Sequence, residues 1–151
     1  QILFLGNKND INKNYNLLSK VFNNYYFNLK YDLLAPYPVN SNKIPELINN
    51  SDVLVLCSLK EGSPNVIKEA MACNCKIVSV DVGDVPERLL GVKGCFICQY
   101  QAYDVARKIM DTLNFPQKEV TSRQSVIYLN TLVIAKRISE IYNSIIARTR
   151  G

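Results

Sequence analysis

The chain has 151 residues and a formal net charge of +5, with 48% hydrophobic and 21% charged residues. These values are typical of a single globular domain large enough to bury a core. No apolar run approaches the ~20 residues needed to cross a bilayer. The basic residues are dispersed and no aromatic stripe accompanies them, which argues against a nucleic-acid-binding protein.

Apolar runs of strand length alternate with segments of helical periodicity. Strands are predicted over 2–5, 26–34, 53–57, 76–80 and 95–98. Helices are predicted over about 13–23, 44–50, 64–73, 84–90, 102–114 and 131–148, with a loop over 35–43 and a polar linker after Pro116. This alternation predicts an α/β fold: a Rossmann-like, doubly wound parallel sheet of about five strands with helices on both faces.

A long C-terminal helix is expected to close this fold. Its apolar side is predicted to be buried and comprises Leu132, Ile134, Ala135, Ile138, Ile141, Tyr142 and Ile145.

The segment 61–69, which follows the predicted central strand, carries the strongest functional signal. Ser63 is a suitable N-cap and Pro64 a suitable first helical residue, so a helix is predicted to begin near Pro64. The amides at Gly62, Ser63, Asn65 and Val66 then lie at the positive end of the helix, where a diphosphate is stabilised.

Glu61 and Glu69 flank this helix start and lie at the carboxyl end of a central strand, where open α/β sheets bind ligands. Carboxylates accept hydrogen bonds from hydroxyl groups, which favours a ligand that carries both hydroxyls and phosphates. The alternative is that both glutamates are solvated surface acids beside an ordinary strand–loop–helix connection.

Further along, Asp84, Pro86 and Glu87 are interpreted as a capping box that opens the next helix. Gly83, before them, is expected to allow close approach of the backbone to a ligand. The chain has five cysteines and no histidine, so no imidazole can act as a base.

The cysteine pairs Cys73/Cys75 and Cys95/Cys98 have spacings compatible with zinc ligands. Burial of reduced thiols as small hydrophobic residues is the favoured alternative, and it indicates a cytoplasmic protein. No metal site and no cofactor are predicted.

The first strand–helix loop, 6–13, is the second candidate site. Gly6 permits close backbone approach, and Lys8 and Lys13 are placed to converge on a phosphate. The alternative is a solvent-exposed loop that carries lysines for solubility alone.

The segment from Ser51 to Leu89 resembles the donor-binding half of the family-4 retaining glycosyltransferases, which have the two-domain GT-B architecture. The resemblance rests on Glu61-Gly62, on the run Glu69-Ala-Met-Ala-Cys73, and on Asp81-Val-Gly-Asp-Val-Pro-Glu87. Two residues depart from the family pattern: Ser63 stands where an aromatic residue is usual, and Asn74 where glycine is common. Asn tolerates the left-handed conformation, so the turn at Asn74 is expected to survive.

This resemblance implies a role for each candidate residue. Glu69 would hold the ribose hydroxyls, and Glu61 would contact the transferred sugar. Gly62, Ser63, Asn65 and Val66 would contact the sugar and diphosphate. Lys13, with Lys8, would balance the charge of the leaving diphosphate, although Lys8 stands one position later than the family's arginine.

Residues 1–151 would then form the C-terminal, nucleotide-sugar-binding domain of a longer enzyme. Because Gln1–Leu5 already has strand character and no initiator Met precedes it, an N-terminal acceptor domain is expected elsewhere. That domain would bind a glycan or a lipid-linked glycan, and peripheral association with the cytoplasmic membrane face stays open for the full-length protein. A sugar-nucleotide epimerase, a phosphorylase and a non-catalytic α/β ligand-binding module are the alternatives.

Overall fold

The computed structural model describes residues 1–24 and 31–149. Its centre is a parallel sheet of five strands in the order β2-β1-β3-β4-β5. The strands are β1 (Ile2–Leu3), β2 (Leu33–Leu34), β3 (Val53–Leu56), β4 (Lys76–Val80) and β5 (Cys95–Cys98). Every residue of β3 and β4 is buried, as expected for central strands covered on both faces. The predicted α/β fold class is therefore confirmed.

Within the described ranges there are six α-helices. They are α1 (Tyr15–Asn24), α2 (Ile44–Asn49), α3 (Asn65–Ala72), α4 (Val85–Leu89), α5 (Ala102–Asn114) and α6 (Thr131–Thr149). Short 3-10 helices lie at Ile11–Lys13, Ser41–Lys43, Gln117–Glu119 and Gln124–Leu129.

From β1 to β2 the chain moves toward one edge of the sheet, and from β2 onward it moves toward the other edge. The connecting helices therefore lie on two faces of the sheet. Parallel crossovers are right-handed, so α1 packs on one face while α2, α3 and α4 pack on the other. Consistent with this arrangement, α1 packs against α5 and α2 packs against α3. The reversal makes the carboxyl ends of β1 and β3 a topological switch point, the usual position of a ligand crevice in such sheets.

Predicted boundaries change in the first three strands, and the third ends at Leu56 rather than at residue 57. The strand predicted over 26–34 falls mainly on residues outside the described ranges, and its described part forms β2 at Leu33–Leu34 only. The first strand ends at Leu3 rather than at residue 5.

Two predicted helix starts are wrong in detail. Pro64 is the N-cap of α3 with extended backbone angles, not its first helical residue, and Ser63 makes no capping bond. Asp84 occupies the N-cap position of α4 without a side-chain capping bond, so the capping box does not form. In both cases the side chain bonds to other side chains across the turn instead of to the helix backbone.

The prediction that α6 buries its apolar side is also wrong. Leu132 is 80% exposed, Ile138 47% and Ile141 55%. Within the described part of the chain, α6 packs chiefly on Gln124–Leu129. Helical periodicity identified the helix correctly, but it does not specify whether a partner covers the apolar stripe. None of the described helices is both long and apolar enough to traverse a membrane.

Most of the cysteines are part of the hydrophobic core. Cys57, Cys75, Cys95 and Cys98 are buried and all five thiols are free. Burial raises the pKa of Cys75, Cys95 and Cys98 to about 12, which keeps these thiols protonated at neutral pH. Among the described residues, no three potential ligands approach closely enough to hold a metal ion.

Candidate functional site

The two predicted catalytic residues form an ion pair at the switch point. The Nζ atom of Lys13 lies 2.8 Å from Oε1 of Glu61, and both side chains are largely buried, with 30% and 16% exposure. Gly6 provides the space for this pair, because a Cβ atom there would lie 3.2 Å from Cγ of Lys13. The loops after β1 and β3 therefore bring a cation and a carboxylate together over the sheet edge.

Asn12 holds the same two loops together. Its side-chain amide donates to the carbonyl of Lys60 and accepts from the Lys60 amide, at 2.9 and 3.0 Å. The Asn12 carbonyl also accepts from the amide of Leu59 at 2.8 Å. These three bonds satisfy backbone groups of a loop that has no strand partner, and they fix the chain just before Glu61.

A second contact joins the backbone of residues 61–62 to the loop after β4. Gly83 has φ +56°, and a Cβ atom there would lie 2.3 Å from the carbonyl oxygen of Gly62 and 2.8 Å from that of Glu61. The Asp84 amide donates to the same Gly62 carbonyl at 2.9 Å. The close approach that glycine permits at position 83 is thus to the backbone of residues 61–62.

Ser63, Asp84 and Arg88 form a polar network beside this contact. The Ser63 hydroxyl donates to Oδ2 of Asp84 at 2.6 Å. Arg88 donates to the same oxygen through Nε, at 2.7 Å, and one of its terminal nitrogens lies 2.6 Å from that oxygen as an ion pair. Burial raises the pKa of the Asp84 carboxyl, but the bonds from Arg88 and Ser63 outweigh burial and leave the pKa below its usual range.

Glu69 lies on α3 and lines a separate cavity of about 410 Å³, whose other wall is the 3-10 helix Gln124–Leu129. The cavity is largely apolar, with Val126, Ile127 and Leu129 on one side and Arg123 at its edge. Glu69 stands four residues after Asn65, so both lie on one face of α3. Neither Lys13 nor Glu61 lines the cavity that Glu69 borders.

The remaining predicted residues occupy different positions. Asn65 is the first residue of α3, and its side-chain oxygen accepts from Lys68 at 3.2 Å. Val66 is partly buried against the core. The Nζ atom of Lys8 lies 5.2 Å from the centre of the Tyr15 ring, a cation–π contact that does not include Glu61 or Lys13.

Sequence reasoning missed three residues that shape this site. Asn12 and Arg88 were not singled out, and Asp84 was interpreted as a helix cap. The four-residue spacing of Asp84 and Arg88 was the signal available for their pairing, since residues at i and i+4 meet on a helix surface. Nothing in the sequence around Asn12 marks its contacts, which join residues 48 positions apart.

Comparison with known proteins adds an independent finding. Residues 35–114 match the family model described as "Glycosyl transferases group 1", which is more than half of the chain. Among curated proteins, no match is found.

Solved structures share the fold at low sequence identity. Sucrose-phosphate synthase from Thermosynechococcus elongatus is 17% identical with a TM-score of 0.76, and the match covers 97% of this chain and 46% of that one. A glycosyltransferase from Rickettsia africae ESF-5 is 19% identical with a TM-score of 0.64, over 95% and 39%. The UDP-GlcNAc 2-epimerase of Methanocaldococcus jannaschii, solved with UDP-GlcNAc and UDP, is 15% identical with a TM-score of 0.53, over 87% and 44%. The present chain spans less than half the length of these three proteins.

Proposed function

This chain belongs to the group 1 glycosyl transferases, and we propose that it binds the nucleotide-diphospho-sugar donor of a sugar transfer that retains anomeric configuration. The acceptor site is expected in the remainder of a longer protein, because the sucrose-phosphate synthase and the Rickettsia glycosyltransferase are more than twice as long as this chain. The proposal extends from the family to specific residues of this chain.

The observation that carries the proposal is the Lys13–Glu61 pair beside the start of α3. Lys13 has three N–H donors. One of them donates to Glu61, so two are available for phosphate oxygens. The amides around Asn65 and Val66 add the positive end of an eight-residue helix. A diphosphate bound there meets a cation and aligned N–H groups at one edge of the sheet.

The proposed chemistry is stabilisation of a departing nucleoside diphosphate. Negative charge on the leaving group grows as the glycosidic bond breaks, so Lys13 and the helix amides interact more strongly with the transition state than with the bound donor. Glu61 orients the sugar and supports the positive charge that develops at the anomeric carbon. Gly62 and Ser63 line the turn against the sugar, while Gly6 and Gly83 keep the adjoining loops close.

Glu69 is assigned to the ribose. An ionised carboxylate accepts two hydroxyl hydrogen bonds without competition from a donor of its own. The large cavity beside Glu69 leaves the side chain accessible from the surface. Lys8 is a secondary candidate for the diphosphate, since reaching it requires the lysine to leave the Tyr15 ring.

Calorimetric titration of this chain with UDP, GDP and ADP tests the proposal. We expect binding of at least one nucleotide, and a loss of about tenfold or more in affinity for Glu69→Ala, because a charged hydrogen-bond acceptor is removed. Glu46→Ala is the matched control, since Glu46 is a surface acid on α2 paired only with Lys43 among the described contacts. Binding of no nucleotide, or equal binding by Glu69→Ala and the unaltered chain, would contradict the proposal.

A sugar-nucleotide epimerase is the second candidate, favoured by the fold similarity to the archaeal epimerase. An epimerase changes the sugar nucleotide in the absence of any acceptor, whereas a transferase needs one. Incubating the full-length protein with the donor that binds, followed by separation of the sugar products, distinguishes the two. A non-catalytic module would bind nucleotide and leave the donor unchanged with and without acceptors.

A further inference from the structure

Asp84 and Arg88 lie outside the residues assigned to the donor, yet the side chains of both contact the turn that is proposed to receive the diphosphate. We infer that Asp84 and Arg88 are positioning residues that hold residues 61–66 (the donor turn) in its binding conformation. This inference rests on the proposed function.

Asp84 forms hydrogen bonds with two adjacent residues of the donor turn. Its backbone amide donates to the carbonyl of Gly62 at 2.9 Å, and its side chain accepts from the hydroxyl of Ser63 at 2.6 Å. A backbone bond alone fixes the position of one peptide, whereas the second bond also fixes the rotation of the chain about Ser63. Because Ser63 directly precedes Pro64, the N-cap of α3, this rotation sets the direction of the first helical amides.

Arg88 holds the Asp84 carboxylate in place. Nε of Arg88 donates to Oδ2 at 2.7 Å. One terminal nitrogen lies 2.6 Å from the same oxygen as an ion pair and donates to the Ser63 hydroxyl at 3.3 Å. The two side chains are 16% and 25% exposed, so water competes only weakly for these bonds. Charge-assisted bonds of this kind are about twice as strong as neutral ones.

The guanidinium group of Arg88 also contacts a third structural element. The other terminal nitrogen of Arg88 donates to the hydroxyl of Tyr128 at 3.3 Å, and Tyr128 belongs to the 3-10 helix Gln124–Leu129 that also walls the Glu69 cavity. The planar fork of arginine can serve three acceptors in fixed directions, which lysine cannot. Arg88 therefore joins α4, the donor turn and the 124–129 segment.

The carboxylate also retains an unused oxygen. Oδ1 of Asp84 is buried and has no hydrogen-bond donor among the described residues, while Oδ2 accepts from both Ser63 and Arg88. The hydrogen bonds that the carboxylate accepts in the described part of the chain are therefore made by Oδ2, the oxygen that contacts the donor turn.

The inference predicts a specific pattern of coupling. If Arg88 acts through Ser63 on the donor turn, the effect of Arg88→Leu on diphosphate affinity should shrink when Ser63 is already alanine. The effect should be unchanged when Glu69 is already alanine, because Glu69 contacts a different part of the ligand. An ion pair that merely stabilises the fold gives no such difference between the two backgrounds.

The experiment is calorimetric titration with the nucleoside diphosphate that binds best, using the unaltered chain, Arg88→Leu, Ser63→Ala, and Arg88→Leu in the Ser63→Ala and Glu69→Ala backgrounds. We expect Arg88→Leu to weaken binding about tenfold alone and about tenfold in the Glu69→Ala background, but less than about threefold in the Ser63→Ala background. Arg107→Leu, which removes an aspartate–arginine pair on α5, is the matched control and should bind like the unaltered chain. Arg88→Lys should fall between the unaltered chain and Arg88→Leu.

Thermal unfolding of each variant shows whether it is folded at the titration temperature. If Arg88→Leu is unfolded there, Ser63→Ala alone carries the test, since it removes one hydroxyl and must weaken binding severalfold. Unchanged affinity in Arg88→Leu, or the same loss in both backgrounds, overturns the positioning role and leaves the proposed function intact. No binding of any diphosphate by the unaltered chain overturns both.

Discussion

Replacing Gly83 with alanine is expected to destabilise the protein and the donor turn together. The backbone at Gly83 has φ +56°, and the added Cβ atom would meet the Gly62 carbonyl oxygen at 2.3 Å and the Glu61 carbonyl oxygen at 2.8 Å. Neither atom is the end of a flexible side chain, so the loops after β3 and β4 must separate. The hydrogen bond from the Asp84 amide to Gly62 would stretch at the same time.

The magnitude follows from two contributions. A side chain in the left-handed region costs about 1–2 kcal/mol, and forcing an extra methyl group into a filled space costs about 1–3 kcal/mol. The free energy of unfolding should therefore fall by about 2–5 kcal/mol. For a chain of this size, each kcal/mol lowers the melting temperature by about 2–4 °C.

Two other glycines separate these contributions. Gly91 also has positive φ, +73°, but nothing lies within 4 Å of its added Cβ, so Gly91→Ala should lose only the backbone strain. Gly62 has open space at that position and no positive φ, so Gly62→Ala should change the free energy of unfolding by less than about 0.5 kcal/mol.

Thermal or urea unfolding of the three variants measures the series. Gly62→Ala is expected to be the most stable of the three variants, Gly91→Ala intermediate, and Gly83→Ala the least stable. If Gly83→Ala is no less stable than Gly91→Ala, the loops are not pressed together as described. The explanation of how residues 61–62 are held would then have to be abandoned.

The remaining predictions concern the core, the helix ends and pH. Ile67→Ala, at a fully buried position, should lower the free energy of unfolding in urea by about 2–4 kcal/mol. Ile138→Ala, on the exposed side of α6, should lower it by about 0.5 kcal/mol or less. Similar losses in the two variants would refute the exposure of α6. Asn74 has φ +55° and accepts from Ser122 and from the amide of Arg123, so Asn74→Gly should be less stable than the unaltered chain and Asn74→Ala less stable than Asn74→Gly by about 1 kcal/mol. The folded-state pKa of Asp84 is lowered from 3.8, so its stabilisation is present above about pH 4 and is lost as pH falls through the lowered pKa. Asp84→Asn should accordingly flatten the acid limb of the stability–pH curve, and an unchanged limb would contradict the Arg88 pairing.

The sheet was predictable because its signal is local. Val53–Leu56 is wholly apolar, and Lys76–Val80 contains three β-branched apolar residues among its five, a composition that suits strands buried on both faces. The ends of elements were less predictable, because they depend on competition between partners. Ser63 is an adequate N-cap by type, yet its hydroxyl bonds to the Asp84 carboxylate, 21 residues away.

The left-handed residue at Asn74 was predicted correctly, since the preference of asparagine for that conformation is intrinsic. The burial of α6 could not be derived in the same way. A stripe of isoleucines specifies which side of a helix is apolar, but the neighbour that covers it lies elsewhere in sequence or in another molecule.

For the candidate site, the glutamate spacing indicated the sheet edge at the carboxyl end of β3, but it did not indicate the contacts that organise the loops there. The proximity of Lys13 to Glu61 could be anticipated from parallel topology, since the carboxyl ends of β1 and β3 are neighbours. The bonds from Asn12 to Lys60, and from Arg88 to the donor turn, depend on side-chain directions that no periodicity encodes.

These contacts give the site its physical character. The donor turn is bonded to the loop after β4 through Asp84, and Lys60, the residue just before the turn, is bonded to the loop after β1 through Asn12. Because the folded protein already holds this loop from both sides, the entropic cost of ordering the loop is met during folding and does not weaken donor binding. Amides that are already aligned do not have to reorganise when charge develops on a leaving group, which is the condition for effective electrostatic stabilisation. Substitutions at Asn12 or Arg88 should therefore reduce catalysis through the donor turn even though neither residue is assigned a contact with the donor.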